Sequence, residues 1–200
     1  MSIFFNTIEA WKNKGKSAIN NYGSDLICLV HESKKDDYLH VLFHGLEEKN
    51  KQKLMKACGM DGFPKLEEYL NLLSEHNGCI LYSGAIVMFG LTNNNGINTF
   101  QYPPSIEKLN SNNRFVMDNP VYLFIGNLMH SDYSNVDIYI NKKTGYILWM
   151  HGSDIFKEFE NIGKMLDHVL EFYEPHYKEN GENKDYNNRK KNVYENIQLY

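Results

Sequence analysis

Residues 63–78 read Phe63-Pro64-Lys65-Leu66-Glu67-Glu68-Tyr69-Leu70-Asn71-Leu72-Leu73-Ser74-Glu75-His76-Asn77-Gly78. Both ends and one face of a helix are written into this stretch. Pro64 suits a first helical turn, where its missing N–H costs nothing. Glu67 and Glu68 sit early, against the positive end of the helix dipole. Leu66, Tyr69, Leu70 and Leu73 follow the i, i+3, i+4, i+7 pattern of a buried face. His76 falls in the last turn, and Asn77-Gly78 offers residues that accept left-handed C-cap geometry. The expectation is a helix over Pro64–His76.

Downstream the period changes. Cys79–Leu91 is β-branched and aromatic, which predicts one or two strands broken near Ser83-Gly84. Thr92–Asn113 is rich in Asn, Gly and Pro and reads as an irregular loop. A strand is expected at Val121–Ile125, followed by Gly126 and a loop over Asn127–Asn135. Asn135–Ile140 alternates, with Val136, Ile138 and Ile140 on one face and Asp137 and Tyr139 on a polar one. Asn141–Gly145 supplies turn chemistry and Tyr146–Met150 returns as the second strand of a hairpin. Ile162, Met165, Leu166, Val169, Leu170 and Tyr173 then build a last amphipathic helix, capped by Asn161 and stopped by Pro175.

Upstream, Ile3, Phe4, Ile8, Trp11 and Ile19 outline an amphipathic helix weakened by Gly15. Leu26–Val30 and Tyr38–Phe43 read as a hairpin around the charged segment Glu32–Asp37. Glu47–Ala57 is a helix candidate ended by Gly59. Beyond Pro175 the chain is charged and Asn-rich. It reads as a tail, with Val193, Tyr194, Ile197, Leu199 and Tyr200 able to dock its far end. The pattern predicts an α+β fold, a mostly antiparallel twisted sheet packed with helices. An N-terminal helix and hairpin (1–53) would pack on a main domain (54–175), followed by the tail (176–200).

The order of these signals resembles the SUKH superfamily, which includes yeast cell-wall regulators of the Smi/Knr type and many bacterial immunity proteins. Phe63–Leu70 resembles the family's apolar-Pro-x-x-x-x-aromatic-Leu helix start. Glu75-His76-Asn77-Gly78 resembles its Asn-Gly end, and Val121–Gly126 the strand leading into Ile-Gly. Val136–Ile140, Thr144-Gly145 and Tyr146–His151 resemble the hairpin, and Phe159–Tyr173 the closing segment. The resemblance spans about Leu54 to Tyr173. It departs where a second Gly would follow Asn-Gly, since Cys79 stands there, and in the loop after Ile-Gly, where Asp132 is the one acidic residue. The resemblance implies a non-enzymatic immunity protein that binds and neutralises a cognate toxin domain, often a nuclease. A scaffold of the yeast regulatory type and a small enzyme are the alternatives.

Composition sets outer bounds. The 200 residues carry 21 Lys and Arg against 25 Asp and Glu, a formal net charge of −4. That is the wrong sign for general nucleic-acid affinity, which needs a basic stripe. Cys28, Cys58 and Cys79 are far apart and lack Cys-x-x-Cys spacing, so neither a disulfide framework nor a structural zinc site is expected. With no export signal and no membrane-length apolar run, the reading is a cytoplasmic protein, monomeric or weakly dimeric, without membrane contact.

No catalytic motif emerges. Gly15-Lys16-Ser17 resembles the end of a phosphate-binding loop, but Ala10 occupies the position of its first Gly. His40 and His44 sit four apart on a predicted strand, where they do not converge. No Gly-x-Ser-x-Gly elbow is present. Glu47-Glu48 and Glu67-Glu68 are explained by helix starts. No cofactor and no metal are expected. What remains is recognition chemistry. The partner-binding candidates are Asp132 and Tyr133 in the loop, Asp137 and Tyr139 on the hairpin's polar face, and Trp149 on its second strand. Acidic and aromatic side chains placed together can engage a basic partner. For Trp149 the competing reading is a core anchor.

Overall fold

The computed structural model describes residues 3–29, 38–92, 102–131, 134–182 and 184. Among the described residues nine strands form one sheet in which every neighbouring pair is antiparallel and spatial order equals chain order. They are β1 (Ala18–Ile19), β2 (Asp25–Leu29), β3 (Tyr38–His44), β4 (His76–Leu81), β5 (Ile86–Met88), β6 (Tyr122–Ser131), β7 (Ser134–Asn141), β8 (Ile147–His151) and β9 (Asp154–Phe159). Six α-helices accompany them: α1 (Ile3–Lys14), α2 (Glu48–Ala57), α3 (Glu67–Glu75), α4 (Ile106–Ser111), α5 (Arg114–Asp118) and α6 (Ile162–Tyr173). The α+β class expected from the sequence is the class observed. The strands of the first 53 residues belong to the same sheet, because β3 is hydrogen-bonded to β4.

The two faces of the sheet differ. Along β7 and β8, Ile138 lies opposite Trp149 and Tyr139 opposite Leu148, so these pairs alternate between faces. Trp149 meets His168 of α6 at a ring separation of 5.7 Å. Tyr139 meets Phe115 of α5 at 5.0 Å. Hence α6 covers one face and α5 the other. With α6 go α1 and α3, and their apolar stripes close the main core: Phe4, Ile8 and Trp11 from α1, Tyr69 and Leu73 from α3, and six residues of α6.

Several expectations are corrected. The helix at Pro64 opens as a 3₁₀ turn (Pro64–Leu66) and ends at Glu75, one residue early. His76 is the C-cap, in extended geometry, and Asn77-Gly78, expected as the left-handed cap, lies inside β4. Asn77 has another task. Its Oδ1 accepts from the Leu91 N–H at 2.7 Å and its Nδ2 donates to the Leu91 carbonyl at 2.8 Å. Gly78 has φ +85°, and a Cβ there would lie 2.6 Å from the Met88 carbonyl oxygen. A side chain at this place would push β5 away from β4.

Asn110 on α4 repeats the clasp. Its Oδ1 accepts from the Phe124 N–H at 2.8 Å, and its Nδ2 donates to the Phe124 and Ile106 carbonyls, each at 2.8 Å. The stretch expected as loop over Thr92–Asn113 thus holds a helix, capped at Ser105 by a hydroxyl that accepts from the Lys108 N–H. Residues 93–101 lie outside the described residues.

Gly126 does not end its strand either. β6 runs on to Ser131, so most of the loop expected over Asn127–Asn135 is the β6–β7 hairpin. A Cβ on Gly126 would lie 2.5 Å from the Val87 carbonyl oxygen. The glycine marks close packing of β5 on β6, together with a register shift between Phe124 and Gly126. β9 was not foreseen. α1 stops at Lys14, leaving Ile19 in β1 with its side chain exposed. The tail is in part packed: Tyr177 is buried, and the Cys28 thiol donates to the Asn180 carbonyl at 3.1 Å. The docking residues expected from Val193 to Tyr200, and the segment Glu32–Asp37, lie outside the described residues.

Candidate functional site

The pleat and the register across β6–β9 build the site. Asn127, Asp137, Met150 and Ile155 stand opposite one another on successive strands, so their side chains share the face away from α6. Phe124, Tyr139, Leu148 and Glu158 form the adjacent row. α5 lies over the second row: Phe115 packs on Tyr122 and Tyr139, and Tyr139 stacks on Phe124 at 5.1 Å. Tyr139 is consequently buried, where the alternation had placed it on a polar, open face. Its hydroxyl still reaches the first row.

There it completes a line of hydrogen bonds. Asn113 Nδ2 donates to the Tyr139 hydroxyl at 3.1 Å. The Tyr139 hydroxyl donates to Asp137 Oδ2 at 3.0 Å. Asn127 Nδ2 donates to Asp137 Oδ1 at 2.8 Å. Asn113 also caps α5, its Oδ1 accepting from the Val116 N–H at 3.1 Å, so one residue both starts the helix and orients the tyrosine.

Asp137 is half-buried. Burial raises its pKa above the ordinary carboxylate value, opposed by the bonds from Tyr139 and Asn127 and by nearby His151. Burial also pushes the Tyr139 hydroxyl up to about 12. The hydroxyl therefore stays protonated and remains a donor to the carboxylate. Each Asp137 oxygen accepts one donor and retains lone-pair capacity for a second. The group is an oriented anionic acceptor, suited to an ammonium or guanidinium from outside. Past it, on the edge strand, Ile155 is 57% and Phe156 38% exposed. A fixed carboxylate in a register row that ends at exposed Ile155 is the mixture that recognition surfaces use.

Of the five residues expected to bind a partner, Asp137 and Tyr139 are brought together. Asp132 and Tyr133 lie outside the described residues. Trp149 stands apart: it is buried on the α6 face against Phe159 at 4.9 Å, and its indole Nε1 has no hydrogen-bond partner among the described residues. Beside it, Lys157 Nζ and His168 Nε2 are 3.0 Å apart. The core-anchor reading holds for Trp149, and its place among surface residues is corrected. Asn113 and Asn127 escaped notice. Pairing of β6 with β7 would have put Asn127 opposite Asp137, whereas nothing local links Asn113 to Tyr139.

The chemistry elsewhere is quiet. Among the described residues no group of three or more His, Cys, Asp and Glu is placed to hold a metal ion. Cys28, Cys58 and Cys79 are free, and burial raises the thiols of Cys28 and Cys79 to about 12 and that of Cys58 to about 11. His40 is fully buried against Trp11, with Nε2 unpartnered among the described residues, and burial lowers its pKa to about 3. It is a neutral core residue. Among the described residues no helix is long and apolar enough to cross a membrane. Comparison of the chain with protein-family models, with curated proteins and with solved structures gives no match.

Proposed function

We propose that this chain is a non-enzymatic binding module that acts in the cytoplasm to neutralise a cognate protein toxin, in keeping with its resemblance to SUKH immunity proteins. The observation that supports this reading is the Asp137 carboxylate, held by Asn127 and Tyr139 on the face away from α6, in the register row that ends at exposed Ile155 on the edge strand. Preorganised anions of this kind speed encounter with basic partners and fix register once bound. A nuclease active site presents cations for its phosphate substrate, and an oriented carboxylate with an apolar flank can cover it. The apolar side chains supply desolvated area, and the carboxylate supplies specificity.

The test is co-expression with toxin domains encoded beside this chain, followed by titration calorimetry of the purified pair. Rescue of growth and a stable complex are expected. Asp137→Ala should weaken the complex by about 30-fold or more, the low end of the ~2–5 kcal/mol cost of truncating one partner of a buried charged contact. Loss of neither rescue nor affinity in that variant would remove Asp137 from the interface. Failure of every neighbouring toxin to be neutralised would remove the immunity role itself.

A further inference from the structure

A second surface lies on the other side of the sheet, around α3. Two open grooves flank this helix. One, of about 520 Å³, runs between α2 and α3 over Met55, Met60, Phe63 and Leu70. The other, of about 380 Å³, runs between α1, α3 and α6 over Phe5, Leu72, Ile162 and Leu166. Asn71 is exposed on the ridge between them and lines both.

The rims are acidic. Glu48 and Glu67 line the first groove, Glu68 and Glu75 the second. Lys51 is the one cation among the lining residues, and it is engaged with Glu48 at 2.7 Å. Glu68 accepts from the Gly163 N–H at 3.1 Å, which fixes one carboxylate at the start of α6. Glu68, Leu72 and Glu75 follow helical spacing, so a negative–apolar–negative stripe runs about 10 Å along α3 at 1.5 Å per residue. The apolar floors favour an apolar occupant, and four carboxylates against one paired ammonium favour a cationic one.

The grooves lie between helices, whose interior N–H and carbonyl groups already bond within the helix, so an occupant must satisfy its own backbone. A helix does so and an extended peptide does not. We propose that α3 and its flanking grooves dock a cationic amphipathic helix of a protein partner. Its Lys and Arg side chains meet Glu67, Glu68 and Glu75, and its apolar stripe enters the grooves. α3 packs with α6, on the face opposite Asp137, so this surface is separate from the one assigned above.

The probe is a labelled 18-residue peptide of Lys and Leu with Leu at i, i+3, i+4 and i+7. A control has the same composition in strict alternation. Both are titrated into the full chain by fluorescence anisotropy, with circular dichroism for induced helix. Saturable binding and induced helicity are expected for the first peptide. Affinity should fall at least tenfold in the double variant Glu67→Lys/Glu75→Lys, and at least fivefold in Asn71→Arg, which puts charge and bulk into both grooves at an exposed position. Asp137→Asn should leave affinity unchanged. Equal binding of the alternating peptide, or a double variant within twofold of wild type, would overturn the proposal. So would a concentration-dependent dimer in sedimentation that the double variant abolishes, since a second copy would then be the occupant.

Discussion

Replacing Asn77 by Ala removes one side-chain acceptor and one side-chain donor from the backbone of Leu91, a residue only 7% exposed. Each buried backbone group left without a partner costs about 1–3 kcal/mol. Two such groups with partial access of water give a loss of about 3 kcal/mol, a large part of the ~5–15 kcal/mol that a domain has. In urea, with a slope of about 2 kcal/mol per molar, the midpoint should fall by roughly 1.5 M. Intrinsic fluorescence reports the transition, because Trp11 and Trp149 are both in the main core. Asn77→Asp separates the two bonds. The carboxylate keeps the acceptor for the Leu91 N–H but loses the donor and brings a charge into a buried site. Its pKa in the fold rises above the unfolded value near 3.9, so the penalty is absent below that pH and grows as pH rises through the raised value. Relative to wild type, the Asp variant should lose more stability at pH 7 than at pH 4. A loss under 1 kcal/mol for Asn77→Ala, or an Asp variant equal to wild type at pH 7, would show that the clasp does not hold β5 to β4.

The buried His40 gives an acid limb to the stability curve. Its folded pKa of about 3 lies below the ordinary histidine value of 6.5, so its stabilising contribution is full above 6.5 and is lost as pH falls from there toward 3. His40→Asn should lack this one-proton slope in urea titrations run from pH 7 to pH 4. Asp137 works in the opposite sense: its raised pKa means that ionisation costs stability as pH rises past the unfolded value. Asp137→Asn should therefore be within about 1 kcal/mol of wild type, gaining relative to it between pH 4 and 7, while weakening partner binding. Tyr139→Phe takes the shared hydroxyl from both Asn113 and Asp137 and should cost about 1 kcal/mol in denaturant unfolding. The thiols of Cys28 and Cys79 should resist a disulfide reagent in the native state and react on unfolding, while the partly buried Cys58 reacts ahead of them. Fast modification of Cys28 or Cys79 in the folded protein would contradict their burial.

How much of this could be read from residues alone depended on period and length. α6 was legible because twelve residues with a full apolar stripe follow a capping Asn and precede Pro175. The β7–β8 hairpin was legible because alternation and turn chemistry agree, and β2–β3 because two apolar runs flank a charged segment. α4 and α5 have six and five residues, too few to display a period, and their caps Ser105 and Asn113 sit in a Pro- and Asn-rich stretch that reads as loop. β9 was hidden because an edge strand with exposed Ile155 and Phe156 lacks the in–out alternation of a half-buried strand. Asn77-Gly78 and Ile125-Gly126 misled for one reason: their glycines answer close contacts with Met88 and Val87 of β5, ten and 39 residues away, where a local turn signal shows only a cap or a loop end. The site was half legible. Alternation found Asp137, but the helix that buries the Tyr139 ring and supplies Asn113 comes from a region whose tertiary placement no local pattern encodes.

The nine strands pair in chain order, so a growing polypeptide can zip each one to its predecessor as it leaves the ribosome. α1 is the exception. Phe4 N–H donates to Asp167, 163 residues later, and Trp11 packs on Tyr177. At about 5–20 residues per second, the apolar stripe of the first helix waits on the order of 10–30 s for the last one. Trp11 can meanwhile stack on His40 of β3 at 4.9 Å, so the final docking of α6 and the segment after it closes what is left open around Phe4 and Tyr177.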